Sequence, residues 1–441
     1  TMRHADDLLR HVFVARPNML DLGYKPHDYG ADIDWSACPV DDISWLSCMN
    51  RFDWDTYLAS AYATTHNERY AAGWIALAGD WIAKNPADAS LNVHAYNALG
   101  VGVRAWRWCG DFEMYKGAPS FTNEFLKIFL AAVHDQAEVI ASPGRKLTHH
   151  NATIVEADGL LRLAIVFPEF KRALAWRLRA TDILAETVGR QFTSDGVQRE
   201  WSINYHMGCV GLLAGVADLL QHNAGEPPPG FMKSIARMYD YLFAALSPDR
   251  LYPMFSDARR PSHDIVGALR HGAELFERPS YRAVLDERAA DYPGQLSYCF
   301  PEAGMYFMRS GWDRDAIYAA FHCSPKAAST HDQQDNGTFE AHAFGRWVMP
   351  DSGCYAYSHG TEQQKERPWF CSSIAHQTLT LNGQNSVNAS RHRLWHDEPR
   401  HTVLVFENES YPGWTHRRTV FFVDRAFLVL IDEAIGEPRG V

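Results

Sequence analysis

Apolar residues in the first two thirds of the chain recur with the spacing of a helix. In one stretch they follow i, i+4, i+7, i+8 and i+11, one face of a helix: Tyr70, Trp74, Leu77, Ala78 and Trp81. Similar stretches continue to about residue 290, and several are closed by Pro, Gly or Asn. Such a series of helical hairpins predicts an α/α solenoid or toroid over residues 1–295, with an irregular helical domain as the alternative.

The period changes near residue 300, where short runs rich in β-branched and aromatic residues begin. The clearest runs are Met305–Met308, Ala316–Phe321, Gln377–Leu381, His401–Phe406 and Thr419–Val423. Turn residues such as Asn382-Gly383 separate them, which predicts antiparallel sheet over residues 296–441. Helices followed by strands indicate an α+β protein of two domains rather than a doubly wound sheet. The β part has only about 140 residues, so truncation of this domain stays an open alternative.

Composition narrows the class of protein and of partner. Hydrophobic residues make up 46% and charged residues 22%, the balance of a globular protein with a sizeable core. The sequence has no apolar run of eighteen residues, so no membrane span is expected. A net charge of −11 argues against a nucleic-acid partner, but it does not exclude an anionic sugar bound in a locally basic cleft.

Aromatic residues are numerous, with 14 Trp and 19 Tyr. Flat rings with a polar edge are suited to stacking on sugars, although a large helical protein also buries many aromatic side chains. None of the eight cysteines forms a CxxC pair, which argues against a zinc ribbon or a thioredoxin-like site.

Two polar stretches stand out in the helical part. His149, His150 and Asn151 precede the apolar run that starts at Ile154. Asn is a good helix N-cap, so capping is the structural alternative for Asn151. The second stretch leads from the Asp195-Gly196 turn to Tyr205, for which a place in the core is the structural alternative.

Two more polar stretches lie in the β part, at residues 331–340 and 373–378. The first begins with His331 and contains several acidic and amide side chains ahead of a strand. Acidic loops are usually only solvated. Paired carboxylates could instead indicate a glycoside hydrolase. The candidate pairs are Asp195 with Glu200 and Asp332 with Asp335.

Several of these motifs resemble the heparinase II/III family, and most closely its heparinase III branch, the heparan-sulfate lyases of polysaccharide lyase family 12. The likeness runs in order over nearly the whole chain: residues 29–35, 81–86, 167–171, 195–206, 331–340, 344–346, 350–353 and 375–383. The resemblance implies an N-terminal (α/α) toroid, a C-terminal antiparallel β-sandwich and a cleft that binds uronate polymers. It also implies a periplasmic or secreted enzyme, although no signal peptide is visible at Thr1.

The activity that the resemblance implies is β-elimination, which leaves 4,5-unsaturated uronate ends. In the family an Asn neutralises the uronate carboxylate while a Tyr and a His carry the protons, and the matching residues are Asn151, Tyr205 and His331. Relatives usually have His after this Asn, whereas here Ala152 follows and His150 precedes, so His150 joins the catalytic candidates. The expected substrate-binding residues are Arg104, Trp106, His206 and Glu200.

The resemblance further implies a divalent cation in the β domain. Gln333 stands where many relatives have a second His, and with Asp351 and His376 it gives a mixed oxygen and nitrogen set that suits calcium about as well as zinc. We expect a structural ion and no organic cofactor. A metal-free hydrogen-bond cluster is the alternative.

Three classes of function remain open at this point. A lyase is favoured, a glycoside hydrolase with paired carboxylates is second, and a non-catalytic polysaccharide-binding protein is third. The expected partner is an acidic polysaccharide, either a heparan-sulfate-like glycosaminoglycan or a bacterial exopolysaccharide.

Overall fold

The computed structural model describes residues 2–14, 25–40, 43–87, 93–148, 150–223, 225–326, 331–355 and 362–436. The chain forms two compact units. The first contains residues 1–186 and 356–365, and the second contains residues 187–355 and 366–441.

The first unit is built from helices and one small hairpin. Its elements are α1 (Met2–Leu8), β1 (Val12–Phe13), β2 (His27–Asp28), α2 (Ile43–Asn50), α3 (Asp55–Thr65), α4 (Glu68–Lys84), α5 (Val93–Tyr96), α6 (Ala98–Tyr115), α7 (Asn123–Ala141), α8 (Ala152–Val166) and most of α9 (Ala173–Gln191). Helix α4 confirms the periodicity, because all five residues of its predicted apolar face are buried. Asn67 caps its start by accepting a hydrogen bond from the Arg69 amide.

Helices α6 and α8 approach closely because each has a glycine at the contact. A Cβ atom at Gly102 would lie 2.7 Å from the Glu156 amide nitrogen, and one at Gly159 would lie 2.6 Å from the Gly102 carbonyl oxygen. Only glycine allows the two backbones to come this near. The contact fixes α8, which begins directly after Asn151.

The second unit starts with helices and continues as sheet. Its elements are α10 (Ile203–His222), α11 (Phe231–Ala245), α12 (Ile265–Leu275), α13 (Pro279–Leu285), β3 (Ser297–Phe300), β4 (Met305–Arg309), β5 (Tyr318–His322), β6 (Phe339–Ala343), β7 (Arg346–Met349), α14 (Glu362–Phe370, which starts in the first unit), β8 (Ser390–Asp397), β9 (His401–Tyr411), β10 (Trp414–Val423) and β11 (Phe427–Gly436). Within the described residues, α10 alone is long and apolar enough to cross a membrane, and 61% of its apolar window is buried in the protein.

Two antiparallel sheets pack face to face in the second unit. One sheet has the order β3-β4-β5-β6-β7 and the other β11-β10-β9-β8. Tyr306 and Phe321 of the first sheet share a buried core with Phe406 and Phe422 of the second. This arrangement is the predicted antiparallel β-sandwich.

The change from helix to sheet near residue 296 is confirmed, but the compact units divide elsewhere. The boundary between them lies inside α9, at Thr187, so α10 to α13 belong with the sheets. The small β1–β2 hairpin and helix α14 are exceptions to the simple sequence of helices and then strands.

One predicted strand is wrong. Residues 377–381 form no strand, because side-chain hydrogen bonds hold this segment instead of the backbone hydrogen bonds of a sheet. Thr378 donates to the Asn336 carbonyl oxygen, and the Gln377 side chain bonds to Pro350 and Thr338.

Candidate active site

Tyr205 and His331 meet face to face in the second unit. Their ring centroids lie 3.8 Å apart with an angle of 25° between the planes. Tyr205 lies in the first turn of α10, and His331 lies between β5 and β6, 126 residues further along the chain. Both side chains are partly exposed, so the pair is open to a ligand. A phenol and an imidazole in contact can both exchange protons with one bound molecule.

Local structure fixes the start of α10. The Asp195-Gly196 turn is confirmed, with Gly196 at a φ of 95°. Next to Tyr205, the Asn204 side chain donates to the Tyr252 hydroxyl at 2.9 Å and accepts from the Arg259 amide at 2.6 Å. The backbone that carries Tyr205 is therefore tied to the loop between α11 and α12.

Carboxylates flank His331 on two sides. Its Nδ1 lies 3.0 Å from Asp257 Oδ2, and its Nε2 lies 3.7 Å from Glu200 Oε2. Both acidic side chains are 1% exposed, whereas the His331 side chain is 23% exposed. The two buried carboxylates therefore contact the imidazole from the interior of the protein, while part of the ring is exposed to solvent.

Asn151 occupies the N-cap position of α8 in the first unit, yet its side chain makes no capping hydrogen bond. His150 takes part of that role, because its Nδ1 accepts from the Ala152 amide at 3.4 Å. The turn is braced by Thr153, whose Oγ1 accepts from the Thr148 amide and donates to its carbonyl oxygen. The capping alternative for the Asn151 amide is thus wrong, while His149 lies outside the described residues.

Comparisons with known proteins place this site in a family. Residues 1–281 match the model of the heparinase II/III N-terminus, and residues 293–440 match that of the heparinase II/III-like C-terminal region. The chain belongs to the heparinase II/III family. Heparin-sulfate lyases of Bacteroides stercoris and Pedobacter heparinus are each 32% identical to it, over 99% and 100% of this chain and 68% and 67% of their own length.

Solved structures of the heparinase II/III family share the fold. A crystal structure of heparinase III aligns with a TM-score of 0.88 and 28% identity over 99% of this chain and 70% of its own. Heparan sulfate lyase HepC from Pedobacter heparinus aligns with a TM-score of 0.73 and 31% identity over 99% and 68%. The fold class predicted from the sequence is therefore confirmed.

Arg104 does not bind substrate in this member of the heparinase II/III family, and that prediction is wrong. Its side chain is fully buried in the first unit, where its guanidinium lies 4.2 Å from the centre of the Trp81 ring. It donates to Gln136 Oε1 at 2.8 Å and to the Asn50 carbonyl oxygen at 2.7 Å. Arg104 thus links helices of the core.

Replacing Arg104 by Ala is expected to destabilise the protein without changing substrate affinity. The change leaves a cavity beside Trp81 and removes the partner of buried polar groups, which costs ~2–5 kcal/mol. Thermal unfolding measures the loss, and KM measured well below the new midpoint should stay within about twofold. A raised KM at unchanged stability would restore the substrate-binding interpretation.

His206 is also a core residue rather than a substrate-binding one. It is 1% exposed, its Nε2 donates to the Met238 carbonyl oxygen at 3.0 Å, and its Nδ1 accepts from the Gln198 amide at 3.2 Å. Burial lowers the pKa of His206 to about 4, which the bond to Met238 offsets only in part. The ring is therefore neutral in the fold.

The neutral His206 makes the fold sensitive to acid. The unfolded chain binds a proton near pH ~6.5 and the folded chain only near pH 4, so the free energy of unfolding should fall as pH drops through that window, by ~1.4 kcal/mol per pH unit. The His206→Gln protein should have a lower free energy of unfolding at pH 7. In urea titrations, that free energy should change less between pH 6.5 and pH 4 than it does in the wild type. Parallel curves for the two proteins would refute the assignment.

The two remaining substrate candidates differ in exposure. Trp106 is 46% exposed on α6, and its role as a substrate-binding residue stays a prediction. Glu200 is 1% exposed and accepts from the Gln198 side chain, so it is too deep to contact a polymer directly.

The acidic stretch at residues 331–340 is not a solvated loop. Asp335 and Glu340 are fully buried. Asp335 accepts from the Ser256 amide at 2.7 Å, and Glu340 pairs with Arg260 at 3.0 Å. Burial raises the pKa of Glu340 to about 8, and Arg260 offsets only part of that rise.

The two candidate carboxylate pairs therefore do not fit a glycoside hydrolase. Such an enzyme requires two carboxyl groups on either side of the scissile bond. Glu200 of one candidate pair and Asp335 of the other are buried within the protein.

The predicted metal ligands lie in the second unit. His376 Nδ1 is 3.0 Å from Asp351 Oδ2, and the Gln333 Nε2 donates to Asp257 Oδ1 at 2.9 Å. His376 Nε2 and Gln333 Oε1 are buried, and neither has a hydrogen-bond partner among the described residues. Among the residues that the structure describes, no group of three or more His, Cys, Asp or Glu side chains is placed so that it could hold a metal ion.

Sequence reasoning missed Asp257 and Arg367. Arg367 of α14 donates to both Asp257 oxygens, at 2.7 and 2.9 Å. Neither residue lies in one of the motifs that resemble the family, and the polar residues around each are typical of a turn or of a solvated helix. A folded chain was needed to bring them to His331.

Proposed function

We propose that this heparinase II/III family member is a polysaccharide lyase that cleaves a heparan-sulfate-type polymer by β-elimination. The observation that carries the proposal is the contact between Tyr205 and His331, two proton-transfer groups stacked at an exposed surface. The relatives named as heparin-sulfate lyases support the substrate class. A periplasmic or secreted location would fit such a substrate.

Elimination requires three tasks, and this chain has a residue for each. The C5 proton of a uronate becomes acidic when the adjacent carboxylate is neutralised, which is the task proposed for Asn151, with His150 beside it. One well-placed donor contributes ~3–4 kcal/mol to such stabilisation. Tyr205 and His331 then share the removal of the C5 proton and the protonation of the departing O4 oxygen.

The product identifies the reaction. Elimination leaves a 4,5-unsaturated uronate that absorbs in the ultraviolet, whereas hydrolysis releases reducing ends without that absorbance. Purified enzyme should be tested on heparan sulfate, on heparin and on unsulfated uronate polymers. We expect absorbance to rise fastest with heparan sulfate. Reducing ends without absorbance would refute the proposal in favour of hydrolysis, and binding with neither signal would favour a non-catalytic protein.

We further propose that Gln333, Asp351 and His376 hold a structural calcium or zinc ion. The supporting observations are that Gln333 Oε1 is buried without a hydrogen-bond partner among the described residues, and that His376 Nδ1 and Asp351 Oδ2 lie 3.0 Å apart, near enough to bind one ion. Asp351 already bonds to His376 and Thr338, but a carboxylate has about four lone-pair sites and can still bind a cation. An ion there would stabilise the region that carries His331 and take no part in proton transfer.

Chelation should therefore lower the melting temperature more than it lowers turnover. Metal analysis of the purified protein should find about one ion per chain, and treatment with a chelator should remove it. The expected result is a lower Tm with most of kcat retained at a temperature below the new transition. Loss of kcat at unchanged Tm would contradict a structural role.

A further inference from the structure

We propose that Asp257 is a positioning residue for His331, and that Arg367 holds Asp257 in the orientation that this requires. The inference rests on the proposed function for the role of His331. The geometry behind it is that of residues that the structure describes. It adds a carboxylate and a guanidinium that do not contact the substrate to the Tyr205 and His331 pair.

The Asp257 carboxylate contacts the side chains of His331, Gln333 and Arg367. Oδ2 lies 3.0 Å from His331 Nδ1, and Oδ1 accepts from Gln333 Nε2 at 2.9 Å. Arg367 Nη2 lies within 2.9 Å of both oxygens. At 1% exposure the carboxylate has little access to water.

The backbone around Asp257 is held from several directions. Its amide donates to the His331 carbonyl oxygen at 3.1 Å, so the two residues are joined through both backbone and side chain. The preceding Ser256 has a φ of 53°, a strained conformation that survives because Asp335 accepts from its amide. The Ala258 carbonyl oxygen accepts from the Cys354 amide at 3.1 Å. A loop fixed this way can set the angle of an imidazole.

The contact with Asp257 determines which nitrogen of the neutral His331 ring carries the hydrogen. Arg367 and Gln333 both donate to the Asp257 side chain, which is therefore the acceptor in its contacts. His331 Nδ1 must then carry a hydrogen. Nε2 is then the nitrogen that exchanges protons with the sugar, and Glu200 Oε2, at 3.7 Å, is beyond hydrogen-bond distance of it.

Arg367 connects this arrangement to α14. Besides Asp257, it donates to the Cys354 carbonyl oxygen at 2.8 Å, and its side chain is 19% exposed. Removing Arg367 should therefore loosen Asp257 and have a smaller effect on turnover than removing the carboxylate.

The test is the isosteric variant Asp257→Asn. Gln333 donates to Oδ1 and Arg367 to both oxygens, so the Asn oxygen should stay at Oδ1 and its NH₂ group should face His331 Nδ1. That reverses the tautomer, which in the Ser-His-Asp triad costs ~10⁴ in kcat. We expect kcat to fall ~10²–10⁴-fold with KM within about threefold.

A matched control removes a comparable ion pair elsewhere in the second unit. Asp397, on β8, pairs with Arg425 at 2.7 Å in the β-sandwich. Asp397→Asn should leave kcat unchanged. Since Asp257→Asn leaves the Arg367 charge without its partner, the double variant Asp257→Asn/Arg367→Gln serves if the single variant does not fold.

A readout independent of activity separates this inference from the proposed function. In ¹⁵N-histidine spectra recorded where the rings are neutral, His331, assigned by its loss in His331→Asn, should carry its proton on Nδ1 in the wild type and on Nε2 in Asp257→Asn. An Nδ1–H tautomer in both proteins, or an active wild type with kcat unchanged in Asp257→Asn, would overturn the inference. A wild type inactive on every uronate polymer would instead refute the proposed function.

Discussion

Replacing Tyr205 by Phe is expected to lower kcat by ~10²–10⁴-fold, the loss that accompanies removal of a general acid or base. The ring stays, so its stacking on His331 at 3.8 Å should be preserved. KM should change little, because the hydroxyl is needed for proton transfer rather than for binding. Initial rates of ultraviolet-absorbing product measure the effect, and thermal unfolding confirms that the fold is intact.

The matched control for Tyr205→Phe is Tyr298→Phe. Tyr298 also belongs to the second unit, and it lies on β3 rather than against His331. Loss of its hydroxyl should leave kcat within about twofold. A Tyr205→Phe enzyme with near wild-type turnover would exclude Tyr205 from proton transfer.

Replacing His331 by Asn should cost ~10²–10⁴-fold in kcat for the same reason. An Asn amide nitrogen can occupy the place of Nδ1 and still donate to Asp257, but it offers no group in the place of Nε2. The variant therefore removes the nitrogen that faces the substrate while keeping the contact 3.0 Å from Asp257 Oδ2. Steady-state kinetics on the best substrate measure the loss.

The double variant Tyr205→Phe/His331→Asn tests whether the two residues act together. Groups that act as a unit are strongly non-additive, so the double variant should be hardly slower than the slower single variant. Losses that simply multiply would show that the stacked pair works as two independent groups.

The parts of the fold that the sequence predicts are those with a clear period. Helix α4 follows its 3.6-residue pattern, and β9 and β10 follow their apolar runs. The segment at residues 377–381 has a similar run but no strand, because Thr378 and Gln377 find side-chain hydrogen bonds instead. The pattern of hydrophobic residues along the chain does not show that side-chain hydrogen bonds compete with strand pairing in this segment.

Only those site residues that lie in motifs resembling the family could be predicted from the sequence. Tyr205 and His331 were found through the family resemblance, and the structure brings them into contact. Arg104 and His206 lie in equally distinctive motifs, but burial makes them core residues. Spacing along the chain cannot separate a buried polar group with satisfied partners from one that faces a ligand. That Asn151 acts on the same sugar stays a prediction.

The central claim is that the bond is broken by elimination, and the masses of the products test it most directly. Digestion of a defined heparan-sulfate oligosaccharide should give two fragments whose masses add up to that of the substrate, with the unsaturated end on one of them. Elimination adds no water, so this sum is the result that the account predicts. Fragments that together weigh one water molecule more than the substrate would show hydrolysis and would contradict it.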